Sequence, residues 1–403
     1  MKIVPLRIRV SLLIILLISL LSGISGCQQD SIFDYISNEV IPTKPFIRGT
    51  PSKMVVKGSN KDLYIANGNA IYRYAGSRWL WYSNPGKFVT DLAVTKEGTD
   101  DTLYALSFTG SGTNTKVYGV GWVEVGNPTE YPFIQSIFGA GDILFAGAAP
   151  STNNGSYAIL YKKPNENSFT PLPTGSEPGL LTGAGVFGTG ASAVYYLSTT
   201  KSGIMQIEDN GSGSFIPVTA STISGDPIPS NISGLIQTGD LIIASSVDGS
   251  NSGRIISLSY DPGIPTDIPP VLPTVDSHVS ATFNYTFTGG LAVMESNFLL
   301  LIGVKNGNGS YNHGYREMGI TLTTGVVDNS LRDPGKFSPS SIQANGNDDS
   351  YAKYNASLGR NPVNFLQVSS DGVIFASTQR NGLFSYRNRS SGGWQWNAEE
   401  EYP

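Results

Sequence analysis

Histidine and cysteine are nearly absent from this chain, which has two of the first and one of the second among 403 residues. Their scarcity excludes an internal disulfide framework, a thiolate zinc site and most histidine-based metal centres before any motif is sought. Charge is sparse as well: Asp, Glu, Lys and Arg make up 14% of the residues, too few for a helical bundle or coiled coil. The 39% hydrophobic content is too high for a disordered chain. Even the longest apolar run, residues 12–21, falls short of the about 20 residues that cross a bilayer comfortably. What the chain has in abundance is turn-formers, 47 Gly and 24 Pro, so many short strands are expected.

The N-terminal segment carries Lys2, Arg7 and Arg9, then the apolar run 12–21 interrupted only by Ser19, then Ser22-Gly23-Ile24-Ser25-Gly26-Cys27. A basic stretch, a short apolar core and small residues before a cut are the parts of a secretory signal. Ile24-Ser25-Gly26-Cys27 resembles the lipobox of bacterial lipoproteins, and the chain's single cysteine sits at its recognised position. The resemblance implies cleavage between Gly26 and Cys27 and a lipid on Cys27, with three acyl chains holding the protein to a membrane at about 0.8 kcal/mol per buried methylene. Gln28 follows the cysteine in place of an Asp, which under the sorting rule of two-membrane bacteria favours the outer membrane. Removal of residues 1–26 takes away three basic side chains and no acidic one, moving the net charge from −5 to −8. An acidic body argues against nucleic acid as a partner. Residues 27–50, polar and containing Pro42 and Pro45, read as a flexible tether.

Self-similarity organises residues 51–403. A short apolar strand introduced by Asp or Asn recurs: Asp62-Leu63-Tyr64-Ile65-Ala66 is followed by related segments containing Leu103, Ile143, Val194, Leu241, Phe298 and Val373. The steps between them are 40, 40, 51, 47, 57 and 75 residues, which gives seven units with a period near that of propeller blades. The runs are apolar on both sides, as strands covered on both faces must be. Each follows an alternating strand and a tight turn such as Gly141-Asp142, Gly239-Asp240 or Asp371-Gly372, and each is followed by another strand. The fold expected is all-β: a seven-bladed β-propeller of four-stranded antiparallel blades, with six or eight blades as the alternative counts. The first and last units both carry an aromatic strand followed by Trp-x-Trp, at Trp79 and Trp81 and at Trp394 and Trp396, so the ring is expected to close by packing the first blade on the last unless the segment Glu39 to Ile47 adds a further strand. Two long insertions are expected, at residues 261–282, which are proline-rich and irregular rather than a strand, and at 330–362. The body resembles the repeats of bacterial sensor-type and sialidase-like propellers, although Ser369-Ser370-Asp371-Gly372 departs from the sialidase Asp-box in spacing and lacks its Trp.

No catalytic set stands out. Gly183-Ala184-Gly185-Val186-Phe187-Gly188 has the G-x-G-x-x-G spacing of a dinucleotide site but leads into a strand instead of a helix, so close approach of backbones explains it better. His278 and His313 have no partner at ligand spacing, and Asn345-Gly346-Asn347-Asp348-Asp349 lacks the alternating oxygens and final Glu of a calcium loop. No metal and no cofactor are expected. There is no Gly-x-Ser-x-Gly elbow. Carboxylate chemistry at an axial mouth has candidates by residue type alone, namely Asp91, Glu124, Glu208, Glu295, Arg316, Glu317 and Arg360. Trp79, Trp81, Trp394 and Trp396 suit either packing between blades or a binding surface. Two functions follow as expectations. One is a membrane-anchored envelope lipoprotein whose propeller binds a partner protein or surface ligand, as a scaffold or adhesin-type module, in outline similar to the propeller lipoprotein of outer-membrane assembly machinery. The other is a glycan-active hydrolase or lyase using axial carboxylates.

Overall fold

The computed structural model describes Ile47 and residues 51–399, except 77, 86–87, 109–114, 152–154, 210–213, 219–221, 224–225, 228, 248–251, 261–274, 281–282, 284–285, 306–314, 329–362, 379–381 and 390–392. The signal segment, Gly26, Cys27, most of the tether, His313, Arg360, the 345–349 segment and the 330–362 insertion therefore lie outside the described residues.

Seven antiparallel sheets follow one another along the chain, each with its strands hydrogen-bonded in sequence order. The first holds β1 (Val55–Lys57), β2 (Asp62–Asn67), β3 (Ala70–Tyr74) and β4 (Trp79–Ser83), and the second β5 (Phe88–Glu97), β6 (Asp100–Phe108), β7 (Thr115–Tyr118) and β8 (Glu124–Val125). The third holds β9 (Phe133–Ala140), β10 (Ile143–Ala149), β11 (Ala158–Lys162) and β12 (Thr170–Pro171), and the fourth β13 (Leu181–Phe187), β14 (Val194–Thr199), β15 (Gly203–Asp209) and β16 (Phe215–Val218). A two-stranded ribbon, β17 (Thr222–Ile223) and β18 (Asp226–Pro227), precedes the fifth sheet of β19 (Ile232–Thr238), β20 (Leu241–Val247), β21 (Gly253–Tyr260) and β22 (Val275–Val279). The sixth has three strands among the described residues, β23 (Thr286–Met294), β24 (Leu299–Lys305) and β25 (Tyr315–Gly319). The seventh has β26 (Val363–Val368), β27 (Ile374–Thr378), β28 (Leu383–Arg389) and β29 (Gly393–Ala398). Two-residue turns join the first and second strands of the third and fifth sheets, where Gly141 (φ 56°) and Gly239 (φ 53°) take the left-handed conformation such hairpins need.

The recurring apolar segments are the second strands, and their lack of alternation has a direct cause. In β2, Leu63 and Ile65 pack on Val373 and Phe375 of the seventh sheet, whereas Tyr64 and Ala66 pack on Leu92 and Leu103 of the second. Leu103 and Ala105 of β6 face back to the first sheet while Tyr104 and Leu106 face forward to the third. Odd and even positions thus serve two different neighbours, and both faces are dry. Seven hydrophobic clusters result, each joining two consecutive sheets, and the seventh joins the last sheet to the first. This is a closed ring of seven blades, and each fully buried Leu, Ile or Phe in it contributes about 1.5–3 kcal/mol relative to exposure.

The ring closes without exchanging a strand, since β1–β4 and β26–β29 are each contiguous in the chain. Side chains make the seam. Phe375 meets Tyr74 and Trp79 with ring centroids 4.8 and 5.3 Å apart, and Tyr74 OH donates to Asp371 at 3.1 Å. The Trp79 indole donates to Glu399 Oε2 at 2.8 Å, and Glu399 Oε1 accepts from Arg387 Nη2 at 2.5 Å and from Ser385.

Two expectations need correction. Residues 261–282 are not an uninterrupted irregular excursion: beyond Pro273 the proline-free stretch Val275–Val279 pairs with β21 as the outer strand of the fifth blade. His278 lies in that strand, opposite Ser257. The two Trp-x-Trp pairs are also offset. Trp79 is opposite Tyr74 and Trp396 is opposite Tyr386, so Trp79 corresponds to Trp396 and not to Trp394.

Candidate functional site

The innermost strands β1, β5, β9, β13, β19, β23 and β26 surround the axis, and six of them carry a bulge near their first residues. The extra residue is Thr90, Gln135, Thr182, Ser233 or Asn364, and β23 carries the longer irregularity between Phe287 and Leu291. A bulge bends its strand toward its neighbour, and here the backbones close up until a side chain no longer fits. Beside the bulges, a Cβ on Gly234 would run into the Gly289 carbonyl and one on Gly183 would lie 2.5 Å from Leu235; farther along the strands, toward their turns, one on Gly139 would run into the Val94 carbonyl and one on Gly185 would lie 2.8 Å from Ile242. The G-x-G-x-x-G segment is therefore the packing edge of β13, as its sequence context indicates.

At the opposite end, where each inner strand turns into the second, blades five, six, seven and one diverge. They enclose a recess of about 530 Å³. Blade one supplies Val56 and Lys61; blade five Ile236, Gln237, Thr238 and Gly239; blade six Leu291, Ala292, Val293, Met294, Glu295 and Ser296; blade seven Gln367, Val368, Ser369 and Ser370. β1, which borders the recess, has three residues where β5 has ten. Thr238 Oγ1 donates to Glu295 Oε1 at 2.7 Å, tying blades five and six across the rim. The Gln237 amide is spent on blade four, accepting from Val186 N at 2.8 Å and donating to Val186 O at 2.6 Å. Lys61 and Glu295 are exposed and are the one cation and the one carboxylate of the lining, which contains no Asp, Arg or aromatic residue.

Glu295 is the one candidate carboxylate that the recess contains. Asp91 is buried in the inner wall, where its Oδ2 accepts from Lys53 Nζ at 2.6 Å and from Ile137 N at 3.0 Å and its Oδ1 accepts from Leu92 N at 2.9 Å. Lys53 Nζ also donates to the Ile137 carbonyl and lies 3.9 Å from the Phe138 ring centre, so this pair fastens blades one, two and three together. Burial pushes the Lys53 ammonium below its ordinary pKa, with the Asp91 carboxylate opposing the shift. Glu124 forms an exposed ion pair with Lys116 at 2.7 Å, and Glu208 accepts from Gln206 at 2.6 Å. Arg316 and Glu317 are buried in β25. Trp79 and Trp396 are packed within blade interfaces, Trp81 is 43% exposed, and the Trp394 side chain lies outside the described residues. The residues that sequence reasoning passed over are Lys61, Thr238, Gln367, Ser369 and Ser370. Their shared signal is position, since each falls at or just before the turn that precedes a recurring apolar strand.

No protein family matches this chain by sequence, and no curated protein does. Among solved structures, the Swd1 β-propeller domain of Myceliophteria thermophila superposes with a TM-score of 0.52 at 10% identity, covering 86% of this chain and 100% of that one. The extracellular domain of a hybrid two-component system from B. thetaiotaomicron gives 0.48 at 13% identity, covering 85% of this chain and 39% of that one, so the chain spans well under half of that domain. Domains 1–2 of Drosophila semaphorin 1a give 0.49 at 9% identity, covering 87% and 89%. At such identities the likeness concerns architecture alone, and the Swd1 domain agrees with what the seven sheets and seven interfaces define: the chain is a β-propeller.

Proposed function

We propose that the chain is a bacterial envelope lipoprotein, held to the membrane through a lipid on Cys27, whose propeller serves as a protein-binding scaffold or adhesin-type module. The anchor is supported by the lipobox Ile24-Ser25-Gly26-Cys27 behind a basic and apolar leader, and Gln28 favours the outer membrane. Among the described residues no helix is long and apolar enough to cross a membrane. The observation that carries the binding role is the recess: one ammonium and one carboxylate on a wall of Ser, Thr, Gln and aliphatic residues. These groups recognise a ligand through hydrogen bonds and charge. The glycan-hydrolase reading needs two carboxylates flanking the scissile bond, and Glu295 has no second carboxylate beside it in the recess lining.

Mass spectrometry of the mature N-terminus tests the anchor. A diacylglyceryl, acylated Cys27 is expected, together with release of a Cys27→Ala variant from the membrane fraction; an unmodified Cys27 contradicts it. Cross-linking in intact envelopes followed by gentle solubilisation tests the scaffold role. A defined partner is expected in stoichiometric amount, and recovery of the protein alone under several cross-linkers overturns the proposal.

A further inference from the structure

The inner strands of blades five, six and seven lie closer together at one end than at the other. At the bulged end blades five, six and seven touch backbone to backbone: Gly234 abuts Gly289, Gly290 would place a Cβ 3.2 Å from the Asn364 carbonyl, and Thr288 donates to the Val363 carbonyl. At the turn end the same three strands part and the recess opens.

We propose that this recess is the site at which the partner is held, and that its occupant is a short extended peptide segment with a basic group placed on Glu295 and a carboxylate, from an acidic side chain or a chain end, placed on Lys61. The inference rests on the scaffold reading and narrows it to one face and one ligand chemistry. Three features select a peptide. The lining has no aromatic ring on which a sugar or a base could stack. It pairs one charge of each sign on separate blades, as a zwitterionic ligand requires. The lining also offers the apolar side chains Val56 and Val293, and Ser370 and Gln367 supply polar groups to meet peptide amides and carbonyls, whereas the Ser369 hydroxyl is engaged by Asp371 and Val373 within its own turn. The volume lies within the about 300–1,000 Å³ of typical ligand pockets, enough for a few residues of a chain but not for a folded domain.

The test uses the full lipidated chain in mild detergent and a random hexapeptide display library as the probe. Selected peptides are expected to share a basic residue at fixed spacing from an acidic residue or the terminal carboxylate. Lys61→Glu and Glu295→Lys, both at exposed positions, should each weaken the selected peptides by about tenfold. The double variant K61E/E295K should favour peptides with the two charges in reverse order. Ser370→Trp, at the exposed rim, should block all of them without changing the melting temperature. Peptides that bind every variant equally, a selection without charge pattern, or retention of a neutral oligosaccharide that Ser370→Trp displaces would each overturn the proposal. If envelope cross-linking captures the same partner on wild-type and K61E/E295K chains, the recess assignment fails while the scaffold reading stands; if the wild-type chain captures nothing, the scaffold reading itself fails.

Discussion

Replacing Glu399 by alanine removes a buried carboxylate that hydrogen-bonds the last blade to the first. Its carboxylate accepts from Trp79 on one side and from Arg387 and Ser385 on the other, and both charged groups of the pair are almost wholly buried. Glu399→Ala leaves the Arg387 guanidinium buried without its counter-charge, a loss of about 3–5 kcal/mol. Trp79→Phe keeps the ring between Tyr74 and Phe375 but deletes the N–H, leaving one carboxylate oxygen short of a donor at about 1–3 kcal/mol. The two changes meet on one carboxylate, so the double variant should fall short of additivity, with a coupling of about 0.5–3 kcal/mol. Thermal unfolding should report a fall of roughly 5–10 °C for Glu399→Ala. Hydrogen exchange is the sharper assay: amides of β2, β3, β27 and β28 should lose protection before those of the third and fourth blades, because opening the seam is a local event. Arg387→Met with Glu399→Leu should recover much of the loss, as apolar replacement of a buried pair often does. A Glu399→Ala protein that melts within a degree of wild type, or that loses protection uniformly around the ring, would refute the seam as the place where closure is secured.

Other outcomes follow from the same contacts. Lys53→Met strands the Asp91 carboxylate inside the inner wall and should lower stability by about 3–5 kcal/mol in urea unfolding, with Lys53→Met/Asp91→Leu less severe than the single change. Gly234→Ala drives a methyl into the Gly289 backbone and should cost about 1–3 kcal/mol by the same assay. Tyr74, Tyr104, Tyr195 and Tyr196 are all raised above the ordinary tyrosine pKa, chiefly by burial, Tyr196 to about 12. A raised folded-state pKa favours the neutral phenol, so this stabilisation is complete below about pH 10 and is lost as pH climbs toward 12. Spectrophotometric titration should show these phenols ionising together with alkaline unfolding, and free titration near pH 10 in the folded protein would contradict their burial.

The seven blades were legible because β2, β6, β10, β14, β20, β24 and β27 are each covered on both faces, and a strand pressed between two neighbours writes an unbroken apolar run into the chain. Outer strands face one neighbour and water, so their signal is weaker. Val275–Val279 was hidden behind five prolines, and the correspondence of Trp79 with Trp396 depends on β28 and β29 running on past Tyr386 to Arg389 and Gly393, where β3 turns directly after Tyr74, a difference in hairpin length that composition does not reveal. Glu295 could be named from residue type. Its companions could not, because Lys61, Thr238 and Ser370 are ordinary turn residues brought to one rim from blades far apart in sequence. Lys53 and Asp91 are 38 residues apart and met only through the curvature of the ring.

Because every blade is one unbroken stretch of sequence and the seam exchanges no strand, blades are separable cassettes. Cutting the chain in any connection between blades and joining its ends at the seam would leave every sheet whole, so circular permutants with new termini at residues 173–180 or 126–132 should fold to the same ring. The same property makes blade number a heritable variable: duplication or loss of one cassette adds or removes a whole sheet and disturbs only the two interfaces beside it, whereas a ring closed by a shared strand would lose its clasp with the first such change.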